Sequence, residues 1–200
     1  MFSLLPFCFV ALALGQGPGA PRPAAVRAKP APGISAPAKP AAVAPIPWSA
    51  ALLTLADFRG RPAPGTPWAS LTSADIKAKV ACTNQVFSGS VQATFDPATS
   101  WFRDAKSASP ALLRHEQLHF DLTEVYARRL RQKLAAFKAS ANCTRLQPAF
   151  DNLTKPVYAE WDREESLYDR ETNHGLDAVR QAYWEKKTQL KLEQLKAFAE

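Results

Sequence analysis

Apolar and polar positions change rhythm along the chain, and each change marks a change of structure. Ahead of residue 95 the period is two: Val91, Ala93 and Phe95 fall on one face of an extended chain, Gln92 and Thr94 on the other. This pattern predicts antiparallel strands over 76–83 and 86–95, ended by Asp96-Pro97, and a short strand at Ser100-Trp101-Phe102. Upstream, 55–65 is broken by Gly and Pro and reads as an irregular or edge segment. At Ser109 the period becomes helical. Ser109-Pro110-Ala111 supplies a cap and a proline at the first helical position, and no Gly or Pro follows before Ala141. Within that stretch Leu112, His119, Phe120, Tyr126, Leu130 and Leu134 recur at helical spacing. A second helix is expected over 150–173, with Pro156 as a kink or boundary, and a third over 176–198. Leu176, Val179, Tyr183 and Leu190 are the apolar row by which the third would pack on the domain. The chain reads as α+β, a small antiparallel sheet followed by three helices, in one domain over 48–200.

The first 47 residues follow a different logic. Residues 2–15 are apolar apart from Ser3, too short for the ~20 residues of a membrane-spanning helix, and end in Ala13-Leu14-Gly15. Residues 1–15 therefore read as a signal peptide, which implies export to the periplasm or the medium and a mature chain with no transmembrane helix. Residues 16–47 are dominated by Pro and Ala and form an extended linker suited to association with the cell envelope. The formal charge is +7, but four cations (Arg22, Arg27, Lys29, Lys39) sit in that linker without an acid. The domain itself is nearly balanced and shows no basic and aromatic pattern, so nucleic acid is excluded as a partner. Removal of Cys8 with the signal leaves Cys82 and Cys143, an even pair expected to form a disulfide in an oxidising compartment.

His115-Glu116-Gln117-Leu118-His119 is an H-E-x-x-H sequence inside the first predicted helix. Four residues apart, the two imidazoles project from one face and can converge on one tetrahedral ion, while Glu116 reaches the water at the open position. A catalytic zinc site takes a third protein ligand. His174 completes the chain's three histidines, in Glu171-Thr172-Asn173-His174-Gly175 where the second helix should end with Gly175 as its left-handed cap. It leads as third ligand, and Glu171 is its rival; Glu124, five residues past His119, is rotated off the histidine face.

Four stretches together resemble a known family: Leu55-Ala56-Asp57-Phe58-Arg59-Gly60; Ser100-Trp101-Phe102; Leu113 to Leu122 around the H-E-x-x-H, with Glu124, Tyr126, Ala127, Arg128 and Leu130; and Tyr168-Asp169 with Thr172, His174 and Gly175. They resemble a bacterial family of predicted secreted zinc-dependent proteases, a domain of unknown function with an H-E-x-x-H helix and a downstream Thr-x-His-Gly motif. The sequence departs from the family at Leu118, where a small residue is usual, and at Ala56, where an acidic or polar one is. The resemblance implies His115 and His119 as zinc ligands, Glu116 as catalytic base and His174 as third ligand. With the helix it points to a zincin-like fold and to hydrolysis of a peptide or protein substrate by a metal-activated water. Tyr168 is a candidate oxyanion donor, and an extended peptide would add to 91–95 if that strand lies at a sheet edge. Two other readings are a non-catalytic envelope-associated zinc-binding scaffold and a peptidoglycan amidase or endopeptidase.

Overall fold

Two ten-residue strands, β3 (Ala74–Thr83) and β4 (Val86–Phe95), form the hairpin on which the helices pack. We number elements in chain order: β1 (Ile46–Pro47), β2 (Ser70–Leu71) and β5 (Trp101–Phe102) are two-residue strands. The computed structural model describes residues 43–140 and 143–200. The expected signal peptide and the linker up to residue 42 lie outside the described residues. Asn84 and Gln85 turn the hairpin with φ of 51° and 64°, the two left-handed residues that a tight two-residue turn requires. Thr83 then faces Val86, and Ala74 faces Phe95. β1 joins the other side of β4, Ile46 opposite Phe95, giving the order β1-β4-β3. β1 therefore occupies the last two residues of the segment expected to be linker. Pro47, which has no N–H to give, sits on an edge strand as proline must.

This topology corrects one expectation. Residues 91–95 are not an open edge: β1 pairs with Thr94 and Phe95, Trp48 N donates to Ala93 O at 2.9 Å, and Arg131 Nε donates to Val91 O at 2.7 Å. β2 and β5 make a separate two-stranded sheet. Gly60 lets the 55–60 segment lie against it, since a Cβ there would come within 2.8 Å of the carbonyl oxygens of Ala98 and Ser100. Phe58 then sits edge-on to both Phe95 and Phe102.

Helix α1 (Pro110–Ser140) starts where the cap predicts, with Ser109 Oγ accepting from Leu112 N at 3.1 Å. It is the central element because it is buried on two sides. Phe120, Ala127, Leu130 and Leu134 join Ile76, Val91, Ala93 and Phe95 of the hairpin in one core. Leu118 and Leu122 face the other way, into a second cluster with Tyr168 of α2 (Leu146–Thr172) and Trp184 of α3 (Ala178–Gln194). Burying side chains of this size stabilises by about 1.5–3 kcal/mol each, which explains a bulky residue at position 118. α2 begins four residues before its expected start and continues through Pro156 as one helix.

The third helix is correct in position, but its expected packing face is wrong. Leu176, Val179, Tyr183 and Leu190 are 79, 80, 53 and 53% exposed, whereas Gln181, Trp184, Thr188 and Leu192 are buried. Asp177 caps it, accepting from Val179 N and Arg180 N. Cys82 and Cys143 form the expected disulfide, tying β3 to the turn before α2 across 61 residues, a closure contributing about 4 kcal/mol on the chain-entropy model. Among the described residues no helix is long and apolar enough to cross a membrane.

Three helices are cross-linked at Glu164. Its carboxylate accepts from Tyr126 Oη at 2.7 Å, Lys191 Nζ at 2.6 Å and Lys187 Nζ at 2.8 Å. Burial pushes this carboxyl up, but the bonds from Lys187, Lys191 and Tyr126 outweigh burial and hold it down to about 2. A folded-state value below the unfolded one stabilises at neutral pH and is lost as pH falls through the folded value. Glu164→Gln is therefore expected to be clearly less stable than wild type at pH 7, with the gap closing between pH 4.5 and 2, as read from urea midpoints.

Candidate metal centre

Helix geometry places the two histidines one turn apart on α1, and α2 supplies the facing wall. The helices run antiparallel, as the contacts Arg129–Glu160, Tyr126–Glu164, His119–Glu165 and His115–Asp169 require. Trp161, Glu165 and Asp169 are successive i, i+4 positions and form one stripe along α2. Three ligand atoms meet between the helices. His115 Nε2 lies 3.2 Å from Asp169 Oδ1, His119 Nε2 lies 3.0 Å from the same oxygen, and the two nitrogens are 3.3 Å apart. A tetrahedral zinc with bonds of about 2.0–2.1 Å separates its ligand atoms by about 3.3 Å, so this triangle has the edge lengths of one face of such a site. His115, His119 and Asp169 are thus a group able to hold a metal ion.

The groups behind the triangle fix its orientation. His115 Nδ1 lies 3.3 Å from Gln181 Oε1, and His119 Nδ1 bonds to Glu165 Oε2. Both Nδ1 atoms face acceptors, so with a metal bound they can keep their protons and leave the two Nε2 atoms to the ion, the arrangement expected of metal-ligating histidines; in the metal-free chain the Nε2 atoms face Asp169 instead. Glu165 is itself held by Trp161 Nε1 at 2.8 Å. Tyr168 stacks on the His115 ring at 4.7 Å, and its hydroxyl reaches His115 O at 3.1 Å and Gln181 Oε1 at 2.9 Å. Gly175 closes the last side: its φ is +81°, and a Cβ there would stand 2.9 Å from Cβ and Cγ of His115.

The electrostatic field favours a cation. Burial disfavours the His119 imidazolium, yet Glu165, Asp169 and Glu116 outweigh it and hold its pKa well above the usual histidine range. Burial likewise raises Asp169, but hydrogen bonds from His115 and His119 win and keep the carboxyl well below the ordinary range, hence ionised. Glu116, Glu165 and Asp169 line one cavity of about 410 Å³, to which no Lys or Arg among the described residues contributes.

The H-E-x-x-H residues expected from sequence all face this cavity. Glu116 is 4% exposed, with Oε1 accepting from Ser70 Oγ of β2 at 2.6 Å and its carbonyl accepting from Thr72 Oγ1 at 3.1 Å. His174 lines the cavity mouth in a left-handed conformation, φ 53°, with Nδ1 3.6 Å from Asp169 Oδ1 and its ring 4.9 Å from that of Trp68. Glu171 is turned away, bonded to Arg180 and to Trp184 Nε1. The Tyr168 hydroxyl is directed at protein acceptors, which makes it a support for His115 rather than a donor facing the cavity. Glu124 lies far along α1, buried against Arg128 and Arg131. Sequence reasoning missed Asp169, Glu165 and Gln181. Only the i, i+4 row from Trp161 to Asp169, set opposite the histidines, would have signalled the first two.

A family model described as "Bacterial protein of unknown function (DUF922)" matches residues 50–175, more than half of the chain. The chain belongs to the DUF922 family. No curated protein and no solved structure matches it. The DUF922 match takes in β2, α1 and α2 to Gly175 and so contains the three converging ligand atoms, while α3, which provides Gln181, follows it.

Two substitutions behind the triangle test its construction. With zinc as the probe ion, Glu165→Ala is expected to weaken metal binding about 10- to 100-fold by freeing the His119 ring. Gly175→Ala should weaken it similarly by displacing His115, and should also lower the melting temperature of the metal-free protein. Competition with a chromogenic chelator and thermal scans read the two effects separately.

Proposed function

We propose that this chain is an exported, zinc-dependent metallopeptidase of zincin-like architecture, with zinc held by His115, His119 and Asp169. The observation that carries the reading is the triangle of two Nε2 atoms and one carboxylate oxygen at 3.0–3.3 Å beside the Glu116 carboxylate. These distances favour Asp169 over His174 as third ligand. Zinc bound there would acidify a water molecule and polarise the carbonyl of a scissile bond.

The chain's own groups do the rest. Ser70 fixes Glu116 through Oε1, so the other oxygen serves as proton acceptor for the attacking water and then returns the proton to the departing amine. Glu165 and Gln181 keep the histidines in the Nδ1–H form that leaves Nε2 available. His174 and Trp68 stand at the mouth, where a substrate chain must pass. The apolar start of the chain and its Pro/Ala stretch support export and a position near the cell envelope.

Glu116→Gln separates base from ligand. It is expected to bind one equivalent of zinc as wild type does, yet to lose about 10²- to 10⁴-fold in turnover of unfolded casein. In elemental analysis of the reconstituted protein, Asp169→Ala should lose zinc and His174→Ala retain it. Unchanged turnover in Glu116→Gln would remove the base assignment, and a wild type without tight zinc would leave a binding module in place of an enzyme.

A further inference from the structure

The face of α3 that points away from the domain carries a pattern of its own. Leu176, Val179, Tyr183 and Leu190 are exposed there, and so are Lys186 and Glu193. Together they fall at 176, 179, 183, 186, 190 and 193, alternating steps of three and four. That is the spacing of a coiled-coil seam, positions a and d over about two and a half heptads. The residues by which α3 packs on the domain, Gln181, Trp184, Thr188 and Leu192, take positions b, c and f on the opposite side of the helix. All of the seam lies beyond residue 175, outside the stretch that the DUF922 model matches, and none of its residues lines the metal cavity.

The two polar members of the row decide what can cover it. Lys186 is exposed and has no ion pair among the described residues. In a parallel pair of copies a faces a and d faces d, which sets Lys186 against Lys186 and Glu193 against Glu193. In an antiparallel pair a faces d, and one register matches the row with itself. Val179 then meets Leu190 of the second copy, Tyr183 meets its Lys186, and Leu176 lies along the stem of its Glu193; two-fold symmetry makes each contact twice. An ammonium on a tyrosine ring is a favourable pair, and an aliphatic pair stands on either side of it. Arg180 and Lys187 flank the seam at e, but each is already paired within its own chain, with Glu171 and Glu164, so no unpaired like charges are brought together. The exposed charges of this face, Lys186, Glu193 and Lys196, are of mixed sign, which argues against an anionic lipid surface as the occupant.

We propose that α3 is a homodimerisation surface, on which a second copy of this chain pairs antiparallel through Leu176, Val179, Tyr183 and Leu190. The seam is short, so the full chain is expected to dimerise weakly, with a Kd on the order of 10 µM. Sedimentation velocity over about 1 to 300 µM reads that equilibrium. Val179→Glu and Leu190→Lys are each expected to weaken it at least about 10-fold, with unchanged thermal midpoints because both positions are exposed. The double variant Val179→Glu/Leu190→Lys should regain most of the loss, since the antiparallel register sets each new acid against the new base of the other copy. The two positions are eleven residues apart on one helix and cannot pair within a chain. Variants that differ only on α3 share every other surface, so association elsewhere leaves all of them alike. A wild type that stays monomeric throughout, or a dimer that neither single variant weakens, overturns the surface. Weakening by both singles without recovery in the double overturns the antiparallel pairing. Binding of monomeric wild type, but not Val179→Glu, to phosphatidylglycerol vesicles overturns it in favour of a lipid surface.

Discussion

Tyr168 is the joint on which the centre of the molecule depends. Its ring is fully buried, stacked on His115 from α1 and 5.4 Å from Trp184 of α3, while its own backbone belongs to α2. Its hydroxyl reaches the His115 carbonyl and Gln181 Oε1, and that same oxygen faces His115 Nδ1. One side chain thereby braces the ring plane and the backbone of a candidate ligand and the acceptor that faces its Nδ1. A metal site tolerates little play in its ligands, and a ring packed on three sides at native density is the means by which a small domain removes it.

The same dependence explains which parts of the structure were legible in the sequence. The hairpin and α1 follow from period-two and period-3.6 patterns because their buried faces are apolar: Val91, Ala93 and Phe95 on one, Phe120, Leu130 and Leu134 on the other. α3 misled because its buried face carries Gln181 and Thr188 beside Trp184 and Leu192, polar groups drawn inward, in the case of Gln181, by the histidine it supports. An apolar row at 176, 179, 183 and 190 competed for the same reading and lies on the surface. Asp169 was hidden for a related reason. It is one acid in a helix that also holds Asp162, Glu164, Glu165 and Glu171, and only the register of α2 against α1 distinguishes it.

The three carboxylates of the cleft show how the partner of each, rather than its residue type, decides its work. Glu116 is steadied through Oε1 by a serine on β2, which under the proposed reading leaves its other oxygen for proton transfer. Glu165 is bound by Trp161 on one oxygen and His119 on the other, which commits it to orienting a ring. Asp169 faces both Nε2 atoms and is the one placed as a ligand. Their summed field raises His119 and, through both histidines, lowers Asp169. A site whose carboxylates favour the charged form of His119 also favours a bound cation, and the triangle's edges are those of one face of a tetrahedral zinc site.

This division also gives the Thr-x-His-Gly segment a physical account that does not require its histidine to be a ligand. Thr172 Oγ1 bonds to the Tyr168 carbonyl at 2.8 Å and accepts from Gly175 N at 3.3 Å, which knots the end of α2. Asn173, His174 and Gly175 all take positive φ, a run of three that turns the chain back sharply enough to bring the Gly175 backbone against the His115 ring. In that run the glycine is required by close approach and the threonine by the knot, and His174 is carried to the cavity mouth as their consequence. There its side chain is 48% exposed and packed on Trp68, a more open position than that of the two histidines on α1, which are enclosed between the helices.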